Sequence, residues 1–241
     1  MKQVGIFLFL FGIQTTQAQT VSPGDKMFSR LSVKPDTYTM KLFMVKDTQQ
    51  RELGESLVTI ENKEGKLFII QDIKIKGMPA RWIDSAVTEA GTFKPLYHSS
   101  NNMQRDMVIR FSGNYISGHY NDKIKKTTSL ISDTIEANYF DSNFYPFLVA
   151  WLPLKEGFTS KFTIYDYSGP QKHGPLGASI DAVRKTTITI EGKMIEVFEV
   201  TLFNEISNSS GKYYVGVKDN KIYQIDSVTP RGTMRMVRGK V

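Results

Sequence analysis

"WIDSAVTEAGTFKPLYHSS", Trp82–Ser100, is the stretch whose reading decides the fold. It holds Asp84 followed by a serine, and His98 beside two more serines, which are the ingredients of several hydrolytic sites. It also holds two alternating runs on either side of Thr88-Glu89-Ala90-Gly91: one ends near Val87, the other begins at Pro95-Leu96-Tyr97. Side chains on a strand point alternately to opposite faces, so two such runs joined by a glycine-containing turn read as a β-hairpin.

The catalytic alternatives fall short in the residues around Asp84 and His98. Two aspartates that share one proton need nearly symmetric surroundings with tight backbone beside each carboxylate. Neither Trp82-Ile83-Asp84-Ser85-Ala86 nor Gln224-Ile225-Asp226-Ser227-Val228 supplies the glycine that such backbone uses. A serine triad needs its nucleophile on a sharp turn, and no serine here sits in a G-x-S-x-G elbow. Asp84 with His98 is therefore the pair a hydrolase would have to use, and the simpler expectation is that His98 is a half-buried cross-strand neighbour. His98, His119 and His173 are too far apart in sequence for a zinc motif, so no metal site is expected. No glycine pattern for phosphate binding follows a strand and opens a helix, so no nucleotide or other cofactor is expected. "DYSGPQKHGPLG", with two Gly-Pro dipeptides around His173, reads as a rigid exposed turn that could border a pocket. Asn208-Ser209-Ser210 matches a glycosylation sequon, a pattern common by chance.

Outward from the hairpin the same period continues. Met40, Leu42 and Met44 fall on one side of a strand, and Met107, Ile109 and Phe111 on one side of another. Ser56–Ile60, Lys66–Ile75, Lys161–Tyr167, Thr186–Ile190, Met194–Phe203, Lys212–Lys218 and Ile222–Val228 alternate likewise and are rich in β-branched and aromatic residues. Asn62-Lys63-Glu64-Gly65, Ser112-Gly113-Asn114, Glu191-Gly192-Lys193 and Asp219-Asn220 supply short turns, which join antiparallel neighbours. The exception is "SNFYPFLVAWLPL": Phe144, Phe147, Leu148 and Trp151 recur at i, i+3, i+4 and i+7, a helical stripe. Ser142 or Asn143 is placed to cap it, Pro146 lies in its first turn and Pro153 stops it. The fold expected is all-β and mainly antiparallel, a curved sheet or open barrel-like meander with one short α-helix near residues 143–152.

The N-terminus has a different logic. Lys2, the apolar run Val4–Ile13 and the small residues before Gln19 form a secretory signal peptide over residues 1–18, cleaved near Ala18; the run is too short to span a bilayer. Residues 19–36 then read as an N-terminal extension and 37–238 as a single β-rich domain. Cysteine is absent, so the core must hold the domain without disulfides. The net charge is +7, or +6 without Lys2. Its densest basic groups, Lys123, Lys125 and Lys126 and the tail Arg231, Arg235, Arg238 and Lys240, lack a basic helix or aromatic platform and read as solvated strand faces. No nucleic-acid partner and no transmembrane span in the mature chain are expected.

The succession "WIDSAVTEAGTFKPLYHSSNN", "MVIRFSGNYISGHY", "LVAWLPLKEGFTSKFTIYDY" and "YYVGVKDNKIYQIDS" resembles the exported bacterial domains grouped as domain of unknown function 3108. The resemblance covers about residues 53–228. It implies a curved antiparallel sheet and an envelope location, and it carries no catalytic signature onto this chain. The chain departs from the pattern at Ala90-Gly91, which widens the first turn, and at the Gly-Pro segment 169–175.

The function expected is that of an exported envelope protein, periplasmic or extracellular and not an enzyme. It would bind a lipid or other apolar small molecule, with Phe144, Phe147, Leu148 and Trp151 as the ligand-binding residues. The competing expectation is a structural scaffold that presents a sheet surface to an envelope protein partner. Ten methionines suit an adaptable apolar lining, although they also fill ordinary cores. N-terminal sequencing of the protein recovered from the envelope or medium should begin at or near Gln19; an intact Met1 there would contradict the cleavage.

Overall fold

A computed structural model describes residues 18–239 apart from Arg30, Ser32, Ala137, Pro230 and Arg231. Residues 1–17 of the signal peptide expected over 1–18, and Arg231 and Lys240 of the basic tail, lie outside the described residues. The N-terminal half of the chain forms β1 (Gln19–Thr20), β2 (Asp36–Lys46), β3 (Gln49–Lys63), β4 (Lys66–Ile75), β5 (Trp82–Glu89), β6 (Pro95–Asn101), β7 (Arg105–Ser112), β8 (Tyr115–Asp122) and β9 (Thr127–Thr134). After β10 (Phe140–Asp141) comes helix α1 (Tyr145–Leu148), which tightens into a 3₁₀ turn at Val149–Trp151. The C-terminal half forms β11 (Ser160–Gly169), β12 (Lys172–Ile190), β13 (Lys193–Asn204), β14 (Ser209–Gly216), β15 (Ile222–Thr229) and β16 (Gly232–Arg238).

All these strands belong to one sheet, whose long strands follow chain order except where β16 joins β2. β2 to β9 pair as consecutive antiparallel neighbours, β11 to β16 do the same, and β16 pairs antiparallel with β2 through Met40↔Arg238 to Val45↔Thr233. The other edge of β11 is taken by two short parallel strands, β1 at Ser160–Lys161 and β10 at Ile164–Tyr165. The sheet is all-β, antiparallel apart from those two pairings, and not closed into a barrel.

The turns form where the sequence places them. Glu64-Gly65 and Glu191-Gly192 both carry two positive φ angles, the type I′ geometry whose twist suits a two-residue hairpin. Gly118 answers a different need: a side chain there would run into the Val108 carbonyl of β7, so glycine lets the two strands come together. One turn differs from the expectation. The "DYSGPQKHGPLG" segment is no exposed loop but paired strand, with Tyr167↔His173 and Tyr165↔Pro175 in register and only Pro170 and Gln171 turning the chain. A register shift between Tyr167 and Gly169 takes up the irregularity.

The helix arises from the predicted stripe but without the predicted caps. Its N-cap is Phe144, no side chain caps it, and Pro146 sits in the first turn, where its missing N–H costs nothing. Phe144 and Leu148 are fully buried and Phe147 is nearly so. Phe144 packs on Phe93, Phe140 and Trp151 at ring-centroid distances of 5.1, 6.3 and 5.8 Å. The segment 19–29 adds to this group: Val21 and Phe28 are buried, and Phe28 lies 4.8 Å from Phe93. Val21 N–H donates to the Lys161 carbonyl and Gly24 N–H to the Thr92 carbonyl, which fixes the segment across the β5–β6 turn.

A second aromatic group joins the two ends of the sheet order. Tyr165 of β11 meets Phe111 of β7 edge-on at 5.8 Å and Tyr139 at 5.7 Å, and Tyr167 lies 5.7 Å from Tyr120 of β8. The Tyr165 hydroxyl donates to Asp133 of β9 at 2.5 Å, and Nδ1 of His173 lies 2.9 Å from the same carboxylate oxygen. Side chains therefore join strands that no ladder connects. Phe144→Ala should cost about 3–5 kcal/mol in urea denaturation, the usual price of emptying an aromatic site. Leu130→Ala on the solvent face of β9, 85 % exposed, should change stability by no more than about 0.5 kcal/mol.

Candidate functional site

Two places among the described residues bear on function, and the first is the hairpin Trp82–Ser100 itself. Ala86↔His98 and Asp84↔Ser100 are cross-strand pairs, so Asp84, His98 and Ser100 share one face. All three are buried. Asp84 accepts a hydrogen bond from the Trp82 indole at 2.7 Å, and Ser100 accepts one from Arg105 Nε at 3.0 Å. His98 turns to β10: Nδ1 lies 2.6 Å from Asp141 Oδ1, and Nε2 lies 2.9 Å from the Asn143 amide nitrogen. Asn143, expected to cap the helix, holds the imidazole instead.

The electrostatics of His98 follow from this enclosure. Burial is the largest single influence and by itself pushes its pKa down; attraction to Asp141, the hydrogen bond to it and the charge of Asp84 together outweigh burial. Arg105 subtracts from that attraction, and the net result is a pKa above the ordinary value of 6.5. On the neutral ring Nδ1–H donates to Asp141 and Nε2 accepts from Asn143. On the charged ring both nitrogens donate, and Asn143 must present its amide oxygen. No donor among the described residues reaches Asp141 Oδ2.

The second place is a cavity of about 550 Å³ against the helix. Its apolar wall is formed by Leu31, Val33, Ile60, Phe147, Ala150 and Trp151. Its rim carries Lys34, Lys218, Lys221 and Arg238 beside Asp36 and Asp219. Of the four residues that the sequence marks for a ligand, Phe147 and Trp151 line the cavity, while Phe144 and Leu148 belong to the packed interior behind it. The helical period found the stripe but could not divide its faces between core and cavity.

The rim residues escaped the sequence because their partners are remote. Arg238, expected on a solvated strand face, is 6 % exposed and donates to Asp36 at 2.6 Å across 202 positions of chain. Its guanidinium carbon stands 3.7 Å above the centre of the Tyr38 ring. Burial is the main cause that raises the Tyr38 pKa, with Arg238 pulling the other way. Arg235 likewise forms a two-pronged bond with Asp226, both arms 2.8 Å. On the outer side of β2 a second cavity, of about 700 Å³, shares Asp36, Tyr38, Lys221 and Arg238 with the first.

Among the described residues no three His, Asp or Glu side chains gather as metal ligands, and no helix is long and apolar enough to cross a membrane. A family model described as a protein of unknown function, DUF3108, matches residues 37–237. No curated protein sequence and no solved structure matches the chain.

Because the folded His98 holds its proton more tightly than the unfolded chain does, its stabilising contribution is complete below pH 6.5 and is lost as pH rises through the folded pKa. Asp141→Asn should bring that pKa down. Imidazole resonances followed against pH, with urea denaturation in the same buffers, check both effects.

Proposed function

The chain belongs to the DUF3108 family, whose model covers most of it, and we propose that it is an exported, non-catalytic envelope protein that holds an apolar or lipid-like molecule in the cavity beside the helix. The observation that carries this reading is the apolar wall of Ile60, Phe147, Ala150 and Trp151 in a cavity of about 550 Å³. Small-molecule sites are typically concave, largely apolar and a few hundred cubic ångströms in volume, with a few polar groups to fix orientation. Trp151 is only partly buried and its ring lies 5.6 Å from Phe93, so the indole connects the packed aromatic interior with the cavity.

Non-catalytic binding is also consistent with how the hairpin uses its polar groups. His98 and Asp84 are committed to Asp141, Asn143 and Trp82 on a buried face, and neither lines the cavity beside the helix. Export to the periplasm or medium follows from reading residues 1–18 as a signal peptide.

A scaffold for an envelope partner is the second reading. It is favoured by β9, the last strand in the sheet order, which has a ladder partner on one side only and carries the exposed Leu130. Native mass spectrometry of the exported protein should find a co-purifying lipid-like molecule. On a Trp82→Phe background, titration with dodecanol should change Trp151 emission saturably. A flat titration with no retained molecule would replace binding with the scaffold.

A further inference from the structure

Arg238 is an unusual residue to find at the edge of an apolar cavity. A guanidinium offers five N–H donors and cannot shed its charge in a protein. Here it is 6 % exposed, and among the described residues its guanidinium donates to Asp36. Tyr38 covers one face of the group and contributes no acceptor in that stacked position. The donors that Asp36 does not take are available to an acceptor that arrives from outside the protein. Arg238 borders both cavities, so those donors have open space beside them.

The rest of the rim points the same way. Asp36 is engaged by Arg238, and Asp219 accepts from the Tyr223 hydroxyl at 2.8 Å and from the Lys221 backbone N–H at 3.2 Å. Lys34, Lys218 and Lys221 have exposed side chains and no carboxylate partner among the described residues. Four cations facing two carboxylates that are already engaged give the mouth a positive potential, which a low-dielectric apolar wall strengthens.

We propose that the molecule held beside the helix is an amphiphile with an anionic head, a carboxylate or phosphate ester on an acyl chain, and that Arg238 receives the head while the chain lies against Phe147 and Trp151. This rests on the binding reading above and adds to it the chemistry of the ligand's polar end. The fork of the guanidinium matches either oxyanion, and Asp36 from one side and Tyr38 from another hold it in place before the ligand arrives.

The test compares laurate, lauroyl lysophosphatidate and dodecanol, each below its aggregation concentration, by Trp151 emission on the Trp82→Phe background. Either anion should bind at least about tenfold more tightly than the neutral alcohol, the scale of one good charged hydrogen bond. Preference for laurate assigns a free fatty acid, and preference for the lysophosphatidate assigns a phospholipid-type head. Arg238→Gln should reduce that ratio towards one, whereas Arg238→Lys, which keeps the charge and loses the fork, should keep part of it. Equal binding of all three amphiphiles by the unsubstituted protein would overturn the anionic head and leave the apolar cavity standing; binding of none would overturn both. A folded Arg238→Gln protein with an undiminished ratio would overturn the role of Arg238. Should that variant fail to fold, the ratio measured on the parent protein decides whether the head is anionic.

Discussion

The sheet curls but does not close, so its two ends are held together by side chains. A closed barrel has no edges to hold, because the ladder runs all the way round. Here the ladder stops at β9 on one side and at β11, with its two short parallel companions, on the other. Tyr165 and His173 meet Asp133 across that interval, and Phe111, Tyr120, Tyr139 and Tyr167 fill it with rings. Such contacts fix position through shape and direction, where a ladder would fix it through register. The helix and the segment 19–29 are part of the same solution: they fill the concave side, where a curled sheet of this length would otherwise enclose a void.

The buried charged groups of this arrangement are tied by side-chain hydrogen bonds, while the hydroxyls of Ser56, Thr88 and Ser160 find no partner among the described residues. His98 joins β6 to β10, and it does so with a charge-assisted bond that is buried on both sides, at 3 % and 1 % side-chain exposure. A pair of this kind gives little net stability, because desolvating two ions offsets most of their attraction, but it tolerates only one placement of β10 against the hairpin. The Arg238–Asp36 pair does the same for β16 and β2 at the mouth of the cavity.

Much of the fold was legible because it is local. Period-two alternation and the glycines of Glu64-Gly65 and Glu191-Gly192 set strands and turns without reference to anything distant, and Lys66–Ile75 coincides with a strand of the structure. The helix stood out for the same reason: Phe144, Phe147, Leu148 and Trp151 break the alternation within eight residues. What sequence could not supply was pairing at long range. Gly-Pro dipeptides are turn signals nearly everywhere, yet at 173–175 the neighbouring β11 keeps the chain extended. Arg238 looks like one more cation in a basic tail until Asp36 is placed beside it. Asn143 looks like a helix cap until His98 is placed beside it.

The join between β2 and β16 has a consequence for when the molecule can become whole. Ribosomal synthesis delivers β2 to β9 first, and these strands can pair as they emerge because each partner follows directly in the chain. β2, however, keeps a bare edge until residues 232–238 arrive, nearly two hundred positions later. Contacts of such sequence separation form late and slowly, and an open edge that waits is an invitation to pair with another chain. Loss of the last seven-residue strand would thus leave that edge bare for the lifetime of the product, and a truncated chain would be exposed to intermolecular strand pairing although most of its hairpins are intact.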